Sequence, residues 1–126
     1  MLLVPHYTGP SPIHGTGLFA VRTIRAGEKI WAFASWFDVQ MTDNQILQLP
    51  ACVLEHVRPY LYEDIETHQW ILCSDHAKYM NHAKDANTEY RDGCSFAKRA
   101  IKSCEEITCN YREFDARARD ATHPDF

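Results

Sequence analysis

Three patterns are missing from this 126-residue sequence, and each absence removes a class of protein. Nowhere do the ~18 consecutive apolar residues of a membrane-spanning helix occur. The opening MLLVPHY is also too short, and too poor in leading basic residues, for a secretion signal. Positive charge is in deficit: 13 Lys and Arg face 17 Asp and Glu, giving a net charge of −4. That sign is wrong for a protein that lives by phosphate attraction, so neither direct nucleic-acid binding nor a membrane partner is expected. The third absence is metal and disulfide spacing. The five cysteines, at 52, 73, 94, 104 and 109, form no CxxC pair, and the seven scattered histidines have no His or Cys partner at helical spacing. No metal is expected, and the odd number of thiols suits a reducing compartment, cytoplasmic or nuclear.

What is present fits one globular domain over 1–126: 45% hydrophobic and 24% charged residues, with six Phe, three Trp and six Tyr to fill a core. A chain of this length buries about two-thirds of its unfolded surface and needs neither metal nor disulfide to do so. Its mild acidity suits a basic protein partner, and Tyr62-Glu63-Asp64-Ile65-Glu66 concentrates that charge. A solvated face is the plainer reading of that stretch and is preferred.

Strand formers dominate Leu18–Val21 and Lys29–Phe33, with Gly27 placed to take a positive φ in the turn between them. The segment AVRTIRAGEKI (20–30) reappears as AKRAIKSCEEI (97–107), matching at Ala, Arg, Ile, a basic residue, Glu and Ile. Two distant copies indicate two similar connections in one β-rich domain rather than a solenoid. Thr42 or Asp43 is placed to cap a short helix over 44–49, and Pro50 to open a second helix running to about Leu61. The stripe Val53, Val57, Leu61 predicts packing of that second helix against a sheet. Trp70–Cys73 reads as a short buried strand, and Asp92-Gly93 as the turn of a hairpin joining Thr88–Tyr90 to Cys94–Ala97. After Tyr111 the chain becomes a polar tail, REFDARARDATHPDF, which is either a loose helix or a segment folded over something.

Taken singly, the chemical signals are weak. Gly15-Thr16-Gly17 lacks the third glycine and the helix of a dinucleotide fingerprint. A cysteine nucleophile with a histidine base is formally open, yet nothing selects one of five thiols over packed core cysteines. The stretch YMNHAKDANTEY (79–90) reads alone as a polar turn, because Asn and Asp bond their own backbone.

Order and spacing change this. GTGLFA (15–20), IRAGEKI (24–30), KYMNHAKDAN (78–87) and CEEITCNY (104–111) follow one another along the chain. In this order they resemble the SET-domain protein-lysine methyltransferases, whose patterns are GxGLFA, R-F/Y-x-N-H-S-x-x-P-N and GEE-L/I-T-x-D/N-Y. The resemblance runs from about His14 to Phe114 and is nearest in kind to short viral and bacterial members without flanking zinc modules. It implies a mainly β, β-clip-like fold of small sheets with short helices, a core over about 14–114, a tail over 115–126 and a C-terminal pseudoknot. It also implies S-adenosylmethionine as cofactor, with the adenine held by backbone groups of Asn81 and His82 and the glycine turn Gly15, Thr16, Gly17 alongside. Tyr79 falls at the aromatic position before the Asn-His pair, where a cofactor contact and a plain core tyrosine are both open. Tyr111 takes the place of the terminal catalytic tyrosine, and Phe114 either walls the channel or plugs the core. The partner implied is a protein carrying a target lysine, basic or histone-like.

The implied reaction asks mainly for positioning, a neutral amine in line with a methyl at about 3–3.5 Å. A phenol of ordinary pKa about 10 suits orientation better than strong base catalysis. Departures from the family pattern are Ala83 for Ser, Ala86 for Pro, Cys104 for Gly and Asn110 for Asp. No cysteine-rich segment follows Tyr111, so the tail or a second copy of the chain, as a homodimer, is expected to complete the channel.

Overall fold

The structure, a computed structural model, describes residues 1–119. In chain order the elements are β1 (His6–Pro10), β2 (Thr16–Ala20), β3 (Lys29–Ala32), β4 (Val39–Met41), α1 (Asp43–Gln48), α2 (Ala51–Val57), β5 (Tyr62–Glu63), β6 (Trp70–Leu72), β7 (Asn81–His82), β8 (Thr88–Arg91), β9 (Cys94–Ala97) and β10 (Thr108–Cys109). Single 3-10 turns cover Arg58–Tyr60, His76–Tyr79, Tyr111–Glu113 and Ala116–Arg119. The strands form four small sheets, β1-β2, β3-β9-β8, β4-β6-β5 and the parallel pair β7-β10. This is the mainly β architecture with short helices that the sequence implies.

Local sequence explains most of these elements. The β8-β9 hairpin turns on Asp92 and Gly93, both at positive φ (51° and 76°), as the two-residue turn requires. Thr42 caps α1 in a reciprocal capping box with Gln45. The second helix stops at Val57, because the Pro59 that follows removes a donor and tightens the chain into 3-10 geometry. The stripe Val53, Val57, Leu61 is corrected here. Neither α1 nor α2 holds a buried residue, Val53 is 40% exposed, and Leu61, beyond the helix, is the stripe member that reaches the interior. Periodicity shows that a helix has an apolar side, not that something covers it.

The repeated segments 20–30 and 97–107 lie against each other, running antiparallel about an approximate twofold. Ile24 and Ile101 exchange both backbone hydrogen bonds (2.8 and 2.9 Å), and each is fully buried. Gly27 N–H donates to Ala97 O and its counterpart Cys104 N–H to Ala20 O, both at 2.7 Å. Ala97 N–H donates to Glu28 O, as Ala20 N–H does to Glu105 O. Leu18, Ile24, Ile30, Ile101 and Ile107, all without exposed surface, form the centre of the main core. Each such side chain contributes about 1.5–3 kcal/mol on burial. The core also reaches further toward the N-terminus than residue 14: Val4 belongs to it, and Leu2 bridges Trp31.

Candidate active site

The parallel pair β7-β10 brings the Asn-His segment beside the chain that leads into Tyr111, the pairing the pseudoknot demands. Ala83 N–H donates to Cys109 O, so the backbone groups of the intervening His82 are turned away from β10. His82 then fixes the next turn through its ring: Nδ1 accepts from Tyr111 N–H at 3.0 Å. Burial, with Arg112 and Lys84 nearby, holds that imidazole below its ordinary pKa and favours the neutral form this bond needs. The Tyr111 hydroxyl donates to Met80 O at 2.9 Å. Its pKa is pushed up, by burial first and then by Cys109 and Asp115, so it is a neutral hydroxyl at physiological pH.

Asn81, 8% exposed, turns its side chain toward the glycine loop. Its Nδ2 donates to His14 O (3.0 Å), Thr16 O (3.4 Å) and Glu106 Oε2 (3.1 Å). Gly17 is required there, since a Cβ would come to 2.9 Å from Ser11 Cβ and 3.0 Å from Glu106 Cδ. The second asparagine of YMNHAKDAN, Asn87, is 2% exposed and works behind the site. It accepts from Thr108 N–H and donates to Glu106 O and Glu105 Oε2, tying the hairpin to the C-terminal motif.

A cavity of about 760 Å³ joins these parts. Its lining includes Ile13, His14, Asn81 and His82, together with Met80, Tyr111 and a group of aromatic rings. Phe114 packs edge-on against Tyr62 (5.0 Å between centroids), tilted against Tyr90 (5.6 Å) and edge-on against Tyr111 (5.9 Å). Trp31, 5% exposed, adds a fourth wall beside Tyr62 and Tyr90, and its Nε1–H meets no acceptor among the described residues. Burial raises the Tyr62 phenol and pushes that of Tyr90 to about 12, so these two phenols are neutral hydroxyls, while Arg58, Lys78, Asp115 and Arg117 bring charge to the same cavity.

Of the eight sequence-predicted site residues, four line the cavity and four do not. Tyr111, Asn81, His82 and Phe114 line the cavity, and Phe114 also packs against the main core. Gly15, Thr16 and Gly17 do not line the cavity; the glycine loop reaches it through Ile13 and His14. Tyr79 does not line the cavity; its ring packs against Tyr60 (5.6 Å) and His76 (6.0 Å). Sequence reasoning missed Trp31, Tyr62, Tyr90 and Glu106. An aromatic at alternate strand positions is indistinguishable from core in one dimension, and no spacing rule links residues 31, 62, 90 and 114.

The tail folds over β5. Ile65 N–H donates to Phe114 O, Glu63 N–H to buried Asp115, and Arg117 reaches both Asp115 (2.9 Å) and Leu61 O (2.7 Å). Residues 114–119 thus supply a wall of the channel from this same chain; residues 120–126 of the expected tail lie outside the described residues. The thiol alternative loses support. Burial raises Cys73, at the cavity, to about 12 and pushes Cys109 up as well, so neither offers a thiolate.

Comparison with known proteins accords with this geometry. The SET-domain family profile matches residues 15–112, and the chain belongs to the SET-domain family. A Plasmodium falciparum protein classed as a histone methyltransferase has the same fold: 21% identity, TM-score 0.61, over 87% of this chain and 95% of that one. An active polycomb repressive complex 2 in the basal state aligns with 25% identity and TM-score 0.65 over 86% of this chain. An inhibitor-bound humanized mutant of Chaetomium thermophilum Polycomb Repressive Complex 2 does so with 24% identity and TM-score 0.65 over 88%. This chain spans 15% of each of those two polycomb chains. No curated protein matches it in sequence.

Proposed function

We propose that this SET domain is an S-adenosylmethionine-dependent protein-lysine N-methyltransferase. The observation that carries the reading is the Tyr111 phenol, fixed against Met80 O in a cavity that Asn81 and His82 also line. The donor set fits the cofactor: the Met80 carbonyl and the Tyr111 phenol oxygen would offer acceptors to a sulfonium and its polarised methyl, and the volume is that of a small-molecule site. His14, Asn81 and His82 would hold its adenosyl end, with Gly15, Thr16 and Gly17 behind them. When bound, S-adenosylmethionine supplies a methyl group activated by positive sulfur.

The protein's own contribution follows from its geometry. Because Tyr111 gives its proton to Met80 O, its oxygen meets a ligand as an acceptor and can orient an incoming amine through one of its N–H bonds. With its pKa raised, Tyr111 is no base; the lysine, ordinarily near ~10.4, loses its proton to solvent. Trp31, Tyr62, Tyr90 and Phe114 exclude water and disfavour the charged ammonium. Labelled S-adenosylmethionine, incubated with histones or a lysate, should label protein lysines, and Tyr111→Phe should suppress the label or change how many methyl groups are added. Unchanged label in that variant would refute the role.

A second reading is a module that holds a lysine-bearing partner without turnover. Its ground is the same four rings: if the lysine enters still charged, their faces hold it as an alkylammonium and no neutral amine is presented for transfer. Calorimetric binding of S-adenosylhomocysteine without transfer to any lysine-containing protein would select it.

A further inference from the structure

We infer that Glu106 is a positioning residue for the cofactor: its carboxylate staples the glycine loop to the Asn-His strand and so sets the shape of the cavity wall at Ile13 and His14. This rests on the cofactor reading above. Three segments distant in sequence meet at this one group. Ser11 Oγ donates to both of its oxygens (2.7 and 2.9 Å), and Asn81 Nδ2 donates to Oε2 at 3.1 Å. The same Ser11 hydroxyl accepts from Ile13 N–H at 3.0 Å and His14 N–H at 3.4 Å, while Asn81 Nδ2 also serves His14 O and Thr16 O. The loop is thus held from its amide side through Ser11 and from its carbonyl side through Asn81, and Glu106 joins the two holders.

Among the described residues no Lys or Arg forms an ion pair with Glu106, so its carboxylate serves as an acceptor for two donors rather than as half of a salt bridge. That makes an isosteric change informative. Glu106→Gln keeps the volume against Gly17 but replaces one accepting oxygen by an N–H group. If the amide oxygen takes the Oε2 place, it keeps Asn81 and the 2.9 Å Ser11 contact, but the amide nitrogen then stands at the 2.7 Å contact, against a Ser11 oxygen that already accepts from two backbone groups; in the reverse orientation two N–H donors face each other at Asn81. One contact of the staple fails in either orientation, although no side chain has been shortened.

The test uses the full chain and two readouts. In the absence of cofactor, amide hydrogen exchange at residues 13–16 should run about tenfold faster in Glu106→Gln, as expected for one lost charge-assisted hydrogen bond. Calorimetry with S-adenosylhomocysteine should show binding weakened by a similar factor of about ten. Ser11→Ala, which also removes the acceptor of Ile13 and His14 N–H, should speed exchange at least as much, and the double variant should be no worse than Ser11→Ala alone, because without Ser11 the amide oxygen is free to serve Asn81. Glu89→Gln, on the surface of β8, serves as control. Unchanged loop exchange in Glu106→Gln overturns the staple. Faster exchange with unchanged affinity overturns its role toward the cofactor. Wild-type protein that binds no S-adenosylhomocysteine, yet shows the exchange difference, refutes the cofactor reading and this inference with it, an outcome distinct from the first two.

Discussion

The internal twofold supplies its own controlled experiment. Gly27 and Cys104 occupy equivalent places in the two repeated turns, at φ +83° and +70°. The left-handed region costs an L-residue about 1–2 kcal/mol, a strain that Cys104 bears and Gly27 does not. Replacing Cys104 by Gly removes that strain but frees the unfolded chain, which offsets about 0.5–1 kcal/mol. The side chain is exposed; its contact with Ser103 Oγ is a long one, 3.8 Å, and its other contact, with the Tyr7 hydroxyl, lies at the surface where water replaces it. The net expectation for Cys104→Gly is a gain of about 0.5 kcal/mol, or a melting midpoint about 2 °C higher for a domain of this size. Gly27→Ala is the mirror experiment. Nothing lies within 4 Å of the added Cβ, so its effect is backbone strain alone, a loss of about 1 kcal/mol and about 4 °C. Thermal and urea denaturation of both variants measure this directly. The reasoning is refuted if Cys104→Gly lowers the midpoint as Gly27→Ala does, for then the thiol would be holding the turn rather than straining it.

Three further outcomes are expected. Asn87→Ala leaves Thr108 N–H and Glu106 O without partners in the interior and should lower stability by about 2–4 kcal/mol in urea titration; a loss below ~1 kcal/mol would mean that water replaces the side chain. His82 has a folded pKa below its unfolded value of about 6.5. Its contribution to stability is therefore complete above pH ~6.5 and is lost as pH falls from there through the folded pKa, so the acid limb of a stability–pH curve should flatten in His82→Asn. Leu47→Ser, at a position 80% exposed, should change stability by no more than ~0.5 kcal/mol, whereas Ile101→Ala should cost about 2–5 kcal/mol in the same titration; a large effect at Leu47 would show that α1 is covered in solution.

Much of the fold is legible in one dimension because its signals are local. The Asp92-Gly93 hairpin, the Thr42 cap and the positive-φ turn at Gly27 each follow from the backbone preferences of one or two residues. The ordered motifs around Gly15, Asn81 and Tyr111 identify the family, and with it the pseudoknot, since those spacings are hard to meet by chance. Tyr79, Val53 and Val57 show where this stops. Each carries the right residue type at the right spacing, yet burial depends on what another segment brings to the same place, and that partner is not encoded nearby.

The sequence by itself determined the family, the element types, the repeated turn and the phenol that ends the CEEITCNY motif. Tertiary structure alone decided that the two repeats clasp each other through Ile24 and Ile101, and that Trp31, Tyr62, Tyr90 and Phe114 close one chamber. It also decided that Glu106 meets Ser11 and Asn81. The physical reason is range: dihedral preference and capping act within a few residues, whereas packing and side-chain hydrogen bonds act across a few ångströms between segments of any separation.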